Sequence, residues 1–177
     1  MHAFAAHWLG DTTAQEEGRL SLNPLQHIDP FTTVLLPIVT LVLFKVPILA
    51  AKPVPFNPDR VKFDEFGAAI VAAAGPLTNL VLAVVGALLL NAAGGGALAA
   101  FLATFVELNV ILCVFNLIPI PPLDGSRILY AFAPEPVQEV MNQIEPYGLF
   151  IVFGLVLTGV LIPVLTNVYN FILGLLP

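Results

Sequence analysis

Charged residues are scarce in this 177-residue chain: they make up 10% of it, against 58% hydrophobic residues. An average globular domain has about 25% charged residues, so the composition excludes an ordinary soluble domain. Only six Lys and Arg stand against twelve Asp and Glu, which gives a formal net charge of -6. So few cations exclude a nucleic-acid partner. The single cysteine, Cys113, excludes a disulfide framework within the chain.

The first residues lack the basic region and the small-residue cleavage site of a secretory signal peptide. Ala, Phe and Leu at helical spacing predict instead the last turns of a helix that stops at Gly10. Because two turns of helix are unstable on their own, we expect residues 1–9 to be the end of a longer helix.

Long apolar runs dominate the rest of the sequence. We predict transmembrane segments at residues 66–90, 97–118 and 147–177, since about 20 apolar residues cross a bilayer. A run at residues 33–50 contains Pro37 and Pro47, and it either crosses the membrane or returns to the side it entered from. The predicted fold class is an all-α membrane protein. It is a multi-pass bundle with a re-entrant or short extended segment between residues 19 and 50, and residues 1–177 form a single domain.

The basic residues predict an orientation. If residues 33–50 are re-entrant, five of the six basic residues share one side of the membrane, and the opposite loop, residues 91–96, has no charge. The positive-inside rule makes the basic side cytoplasmic, which predicts a protein of the cell (inner) membrane. A full crossing by residues 33–50 would instead separate Arg19 from the other loop cations. The five residues are Arg19, Lys52, Arg60, Lys62 and Arg127.

Polar side chains at membrane depth are energetically costly and therefore mark functional sites. For Glu107 and His27 a structural role is favoured over a functional one. The remaining candidates are His2, His7, Asn79, Asn109, Asn116 and Asp124.

Several sequence blocks occur in a characteristic order. They resemble the site-2 protease family of intramembrane zinc metalloproteases, in particular its short bacterial-type members. The blocks are His2-Ala3 with Gly10-Asp11, the run Gly18-Arg19-Leu20-Ser21-Leu22-Asn23-Pro24-Leu25, Ala74-Gly75-Pro76 with Asn79, and Phe115-Asn116-Leu117 leading to Pro122-Leu123-Asp124-Gly125.

This resemblance implies a zinc cofactor. In the family a helix carries H-E-x-x-H, whose two histidines bind zinc while the glutamate acts as general base. The aspartate of a Leu-Asp-Gly motif is the third ligand, and water takes the open fourth position. The resemblance therefore implies that His2 and Asp124 bind Zn²⁺ and that Asn116 and Asn79 bind substrate. It also implies a substrate that is a membrane protein or peptide in the lipid bilayer.

The family motif is incomplete in this chain. The first histidine and the glutamate would lie four and three positions before His2, ahead of Met1. His7 is no substitute, since five residues correspond to about 140° around the helix. We therefore expect a truncation within the motif, no catalytic residue in the chain as given, and an inactive or impaired protease. The first alternative is a pseudoprotease that binds membrane segments without cutting them. The second alternative is a small transporter.

Overall fold

The computed structural model describes residues 1–18, 20, 21, 23, 35, 38 and 60–177. The re-entrant or extended segment predicted between residues 19 and 50 therefore lies outside the described residues, apart from isolated positions. The same is true of His27.

All regular secondary structure in the described part of the chain is helical, which confirms the predicted all-α class. The helices whose bounds lie within the described ranges 1–18 and 60–177 are two short ones, then two long ones, then four of intermediate length. They are α1 (His2–Trp8), α2 (Thr13–Glu16), α3 (Asp64–Ala92), α4 (Gly96–Asn116), α5 (Asp124–Phe132), α6 (Glu135–Ile144), a 3₁₀ turn (Glu145–Tyr147), α7 (Gly148–Leu157) and α8 (Leu161–Leu175).

Three helical stretches among the described residues are long and apolar enough to cross a membrane: α3, α4 and the run Glu135–Leu157. At 1.5 Å per residue, α3 is about 43 Å long and α4 about 31 Å, against a hydrocarbon core of about 30 Å. The protein is therefore an integral membrane protein with several helices of spanning length.

Residues 147–177 form two helices, because the chain turns between α7 and α8. Gly159 has a φ of +73° at this turn, a conformation that residues with a side chain rarely adopt. The 15 residues of α8 extend about 22 Å, which is less than the hydrocarbon thickness.

Residues 3–62 form one compact unit. Helix α1 ends at Trp8, and Gly10 follows with a φ of +107°, in agreement with the predicted stop. The Lys62 amide donates a hydrogen bond of 2.9 Å to the Leu9 carbonyl. The carboxylate of Asp11 is fully buried and accepts hydrogen bonds from the amide and hydroxyl of Thr13, at 2.9 and 2.5 Å.

The other unit comprises residues 1–2 and 63–177. Its core lies between α3 and α4, where small side chains allow the helices to approach closely. A Cβ atom added at Gly86 would come within 2.9 Å of Val106 Cγ2, so the glycine permits this approach. One side of α8 covers the same core. The buried residues of this core are Ala83, Ala87, Val106, Val110 and Val114, with Leu165, Tyr169, Ile172, Leu173 and Leu176 packed against them.

Candidate metal centre

The imidazole of His2 is held against α3. Its Nδ1 lies 2.8 Å from the carbonyl oxygen of Val71. A carbonyl can only accept, so Nδ1 carries a proton and donates it, and in the neutral imidazole Nε2 then keeps its lone pair. Metal-binding histidines commonly use one ring nitrogen in this way while the other faces the metal.

The carboxylate of Asp124 lies near the Nε2 edge of the His2 ring. Its Oδ2 lies 3.5 Å from His2 Nε2, and the two side chains are 34% (His2) and 24% (Asp124) exposed. Burial raises the pKa of Asp124, and a charge on His2 opposes this shift. A cation bound between the two side chains would favour the ionised carboxylate, because an opposite charge stabilises it.

Because Gly75 has no side chain, it leaves space beside His2 Nε2 and Asp124 Oδ2. A Cβ atom there would lie 2.4 Å from His2 Nε2 and 3.3 Å from Asp124 Oδ2. A side chain at position 75 would therefore fill the volume that these two atoms face. Gly75 lies in one of the matched sequence blocks, but its residue type alone did not predict this role.

The next residue of α3, Pro76, is buried inside the helix. Proline has no amide hydrogen, so the Ala72 carbonyl loses its usual helical partner. In the next turn of α3, the Thr78 hydroxyl donates a 2.6 Å hydrogen bond to the Ala74 carbonyl. The His2 ring thus docks on α3 directly beside an interruption of its hydrogen-bond ladder.

Asp124 is positioned by the packing of the first turn of α5 against the end of α4. A Cβ atom added at the buried Gly125 would lie 2.2 Å from the Leu117 carbonyl oxygen, so only glycine permits this contact. The Ser126 hydroxyl donates a 2.7 Å hydrogen bond to the Leu123 carbonyl in the same turn. This role of Gly125 was also missed, although the Asp-Gly pair in the sequence marks it.

The two predicted substrate-binding asparagines lie on separate helices. Asn116 is the last residue of α4, and its Nδ2 donates a 2.9 Å hydrogen bond to the Leu112 carbonyl. Asn79 is half-buried on α3. It lies one helical turn beyond Gly75 and on the same face, about 6 Å along the axis.

Among the described residues, no group of three or more His, Cys, Asp and Glu side chains is placed to hold a metal ion. His2 and Asp124 supply two donors, one nitrogen and one oxygen, both of which Zn²⁺ accepts. A catalytic zinc normally has three protein ligands. His7 is exposed.

An apolar groove with a volume of about 370 Å³ begins beside this centre. Its α3 residues recur at the three- and four-residue spacing of a single helix face. The lining residues are Met1, Ala74, Leu77, Thr78, Val81 and Leu82.

Comparison with known proteins adds a family relationship. The model of peptidase family M50 matches residues 91–159, a range that includes Asp124. YwhC of Bacillus subtilis, a protein named as a candidate zinc metalloprotease, is 41% identical over 162 residues, which cover 86% of this chain and 70% of YwhC. Rip2 of Mycolicibacterium smegmatis, named in the same way, is 33% identical over 168 residues, which cover 90% of this chain and 62% of Rip2. No solved structure matches the chain.

Proposed function

Because this chain belongs to peptidase family M50, we propose that it is a zinc metalloendopeptidase acting on transmembrane or membrane-proximal peptide segments. The main supporting observation is the 3.5 Å approach of His2 Nε2 to Asp124 Oδ2. These residues come from distant parts of the sequence, and they meet in a protein with helices of membrane-spanning length.

In this proposal His2 holds zinc through Nε2 and Asp124 through its carboxylate. Three features support the fit: the Nδ1 hydrogen bond to Val71 fixes the ring and its tautomer, the donor atoms suit zinc, and Gly75 leaves room. When bound, zinc supplies Lewis acidity that polarises a peptide carbonyl and activates water. The residues of this chain orient the two ligands and contribute the apolar surroundings.

The proposal also includes a third ligand and a general base, at four and three positions before His2. A helix that continued α1 upstream would place a residue at the first of these positions on the same face as His2. Translation of the source DNA in frame ahead of the Met1 codon tests this point. A histidine and a glutamate codon are expected there; a stop codon or unrelated sequence would instead favour a non-catalytic protein.

The proposed substrate is a peptide segment of a membrane protein. The apolar groove beside Gly75 suits the side chains of such a segment. Asn79 and Asn116 are proposed to hold its main chain, since an amide can hydrogen-bond to a peptide without adding a buried charge. Cleavage is proposed towards the cytoplasm, because the positive-inside rule assigns the basic side of the predicted topology to the cytoplasm.

The proposal is tested by the zinc content of the purified, detergent-solubilised protein in a version that carries the complete motif. Asp124→Ala is expected to abolish zinc retention. Glu107→Ala is the matched control, since Glu107 is an exposed carboxylate on α4, and its zinc content should be unchanged. Normal zinc content in Asp124→Ala would refute the ligand assignment. In a version with the complete motif, cleavage of a transmembrane peptide should be lost in the same variant.

A pseudoprotease is the second candidate function. It would bind a transmembrane peptide without cleaving it, even when the complete upstream sequence is present. A small transporter is less well supported, because the sequence lacks the repeated pair of broken helices found in many transporters.

A further inference from the structure

Beyond the two candidate ligands, oppositely charged side chains meet where α5 is connected to α6. Arg127 of α5 forms an ion pair with Glu145, the first residue of the 3₁₀ turn, through Nη2 and Oε1. Both side chains are 38% exposed. A partly shielded pair of this kind is screened less by solvent and salt than a fully exposed one.

Tyr130 of α5 accepts two hydrogen bonds from side chains of α6. Its carbonyl oxygen accepts a bond of 2.9 Å from Gln138 Nε2, and its hydroxyl accepts one of 3.1 Å from Asn142 Nδ2. Gln138 and Asn142 both belong to α6. One side of α5 is therefore tied to α6 and the 3₁₀ turn by an ion pair and two hydrogen bonds.

Helix α5 depends on such contacts because it has only nine residues, and helices shorter than about 12 residues are marginal on their own. Both ends of α5 make contacts with other parts of the protein. Gly125 packs on the Leu117 carbonyl, and the ring of Phe132 packs edge-on against Phe66, with centroids 5.4 Å apart. The contacts of Arg127 and Tyr130 restrain the turns between these ends.

Rotation of α5 connects this cluster to the metal centre. Arg127 follows Asp124 by three residues, so the two lie on neighbouring turns, about 4.5 Å apart along the axis. Any rotation of the helix that separates Arg127 from Glu145 also moves the Asp124 carboxylate. The contact of Asp124 with His2 is therefore sensitive to whether the ion pair is formed.

We propose that Arg127 is a positioning residue: through its ion pair with Glu145 it holds α5 in the rotation that brings Asp124 to His2. The inference rests on the proposed zinc site, but the ion pair can be tested without metal.

The first test is hydrogen–deuterium exchange of the metal-free chain in detergent. Arg127→Ala and the milder Glu145→Gln should speed exchange of the α5 amides about tenfold, since they remove a restraint on a marginal helix. Amides of α3 and α4 should be unaffected. The reversed pair, Arg127→Glu with Glu145→Arg, should restore protection.

The matched control is Arg60→Ala, which breaks the 3.5 Å ion pair between Arg60 and Glu16 in the other unit. Exchange in α5 should not change in this variant. Unchanged α5 exchange in both Arg127→Ala and Glu145→Gln would overturn the proposal.

The second test measures zinc affinity in a version of the protein that carries the complete motif. Arg127→Ala should bind zinc about tenfold more weakly, the scale seen when supporting contacts of metal ligands are removed, and the reversed pair should recover the affinity. Faster α5 exchange with unchanged zinc affinity would show a purely structural pair and overturn the positioning role. If the unmutated protein with the complete motif fails to bind zinc, the metal assignment fails, and the exchange measurement then decides whether the pair restrains α5.

Discussion

The imidazole of His2 donates a 2.8 Å hydrogen bond to the carbonyl of Val71, which is 69 positions away in the sequence. This bond uses Nδ1 and therefore directs Nε2 toward Asp124. The orientation of the first candidate ligand thus depends on the main chain of α3, one turn before the interruption at Pro76.

In the proposed site zinc binds the folded state through His2, so zinc is expected to stabilise the protein with the complete motif against heat. The gain should be about 2.7 kcal/mol at a zinc concentration of 100 times Kd. Differential scanning calorimetry in detergent, with and without zinc, measures this gain. His2→Ala should lose the shift, whereas His7→Ala on the same helix should keep it. An equal shift in His2→Ala would exclude His2 as a ligand.

Gly75→Ala is expected to weaken zinc binding about tenfold or more, the scale of perturbations around metal ligands. Its Cβ atom would lie 2.4 Å from His2 Nε2 and would displace the ring. Competition with a zinc-sensitive dye measures the affinity. Gly154→Ala is the control, because a Cβ atom there meets nothing within 4 Å. Equal affinities in the two variants would contradict the close approach at Gly75.

Gly125→Ala is expected to destabilise the protein by about 1–3 kcal/mol, the usual cost of forcing extra volume into a packed contact. The added carbon would meet the Leu117 carbonyl at 2.2 Å, and main-chain atoms move less easily than a side chain. Thermal unfolding monitored by circular dichroism measures the loss. Gly174→Ala, near the end of α8, has open space around it and should keep or slightly raise the midpoint, because alanine favours a helix over glycine.

Asn116→Ala is expected to weaken binding of a transmembrane peptide about tenfold, equivalent to the loss of one hydrogen bond of about 1.4 kcal/mol. Fluorescence titration with a labelled peptide in detergent measures the affinity. Asn109→Ala is the control, since the buried Asn109 bonds to Phe105 of its own helix. Peptide affinity that is equal to wild type in Asn116→Ala would indicate that this side chain serves only its helix.

The all-helical class could be predicted because it depends on apolar run length. The predicted ends of the two long segments, 66–90 and 97–118, lie within two residues of α3 and α4 at each end. Residues 147–177 show what apolar run length does not predict. Their apolar composition continues through the turn, whereas the positive φ of Gly159 divides them into two helices. Hydropathy describes the side chains and does not show where the main chain turns.

The sequence by itself determined the membrane class, the helical content and, by resemblance, the two candidate ligands. It could not determine what supports them, because Val71, Gly75 and Gly125 act through main-chain atoms or through the lack of a side chain. The sequence shows that a residue is glycine, but it does not show which atoms approach that glycine. Only the tertiary structure brought His2 and Asp124 within 3.5 Å, since that distance depends on the packing of α5 against α3 and α4.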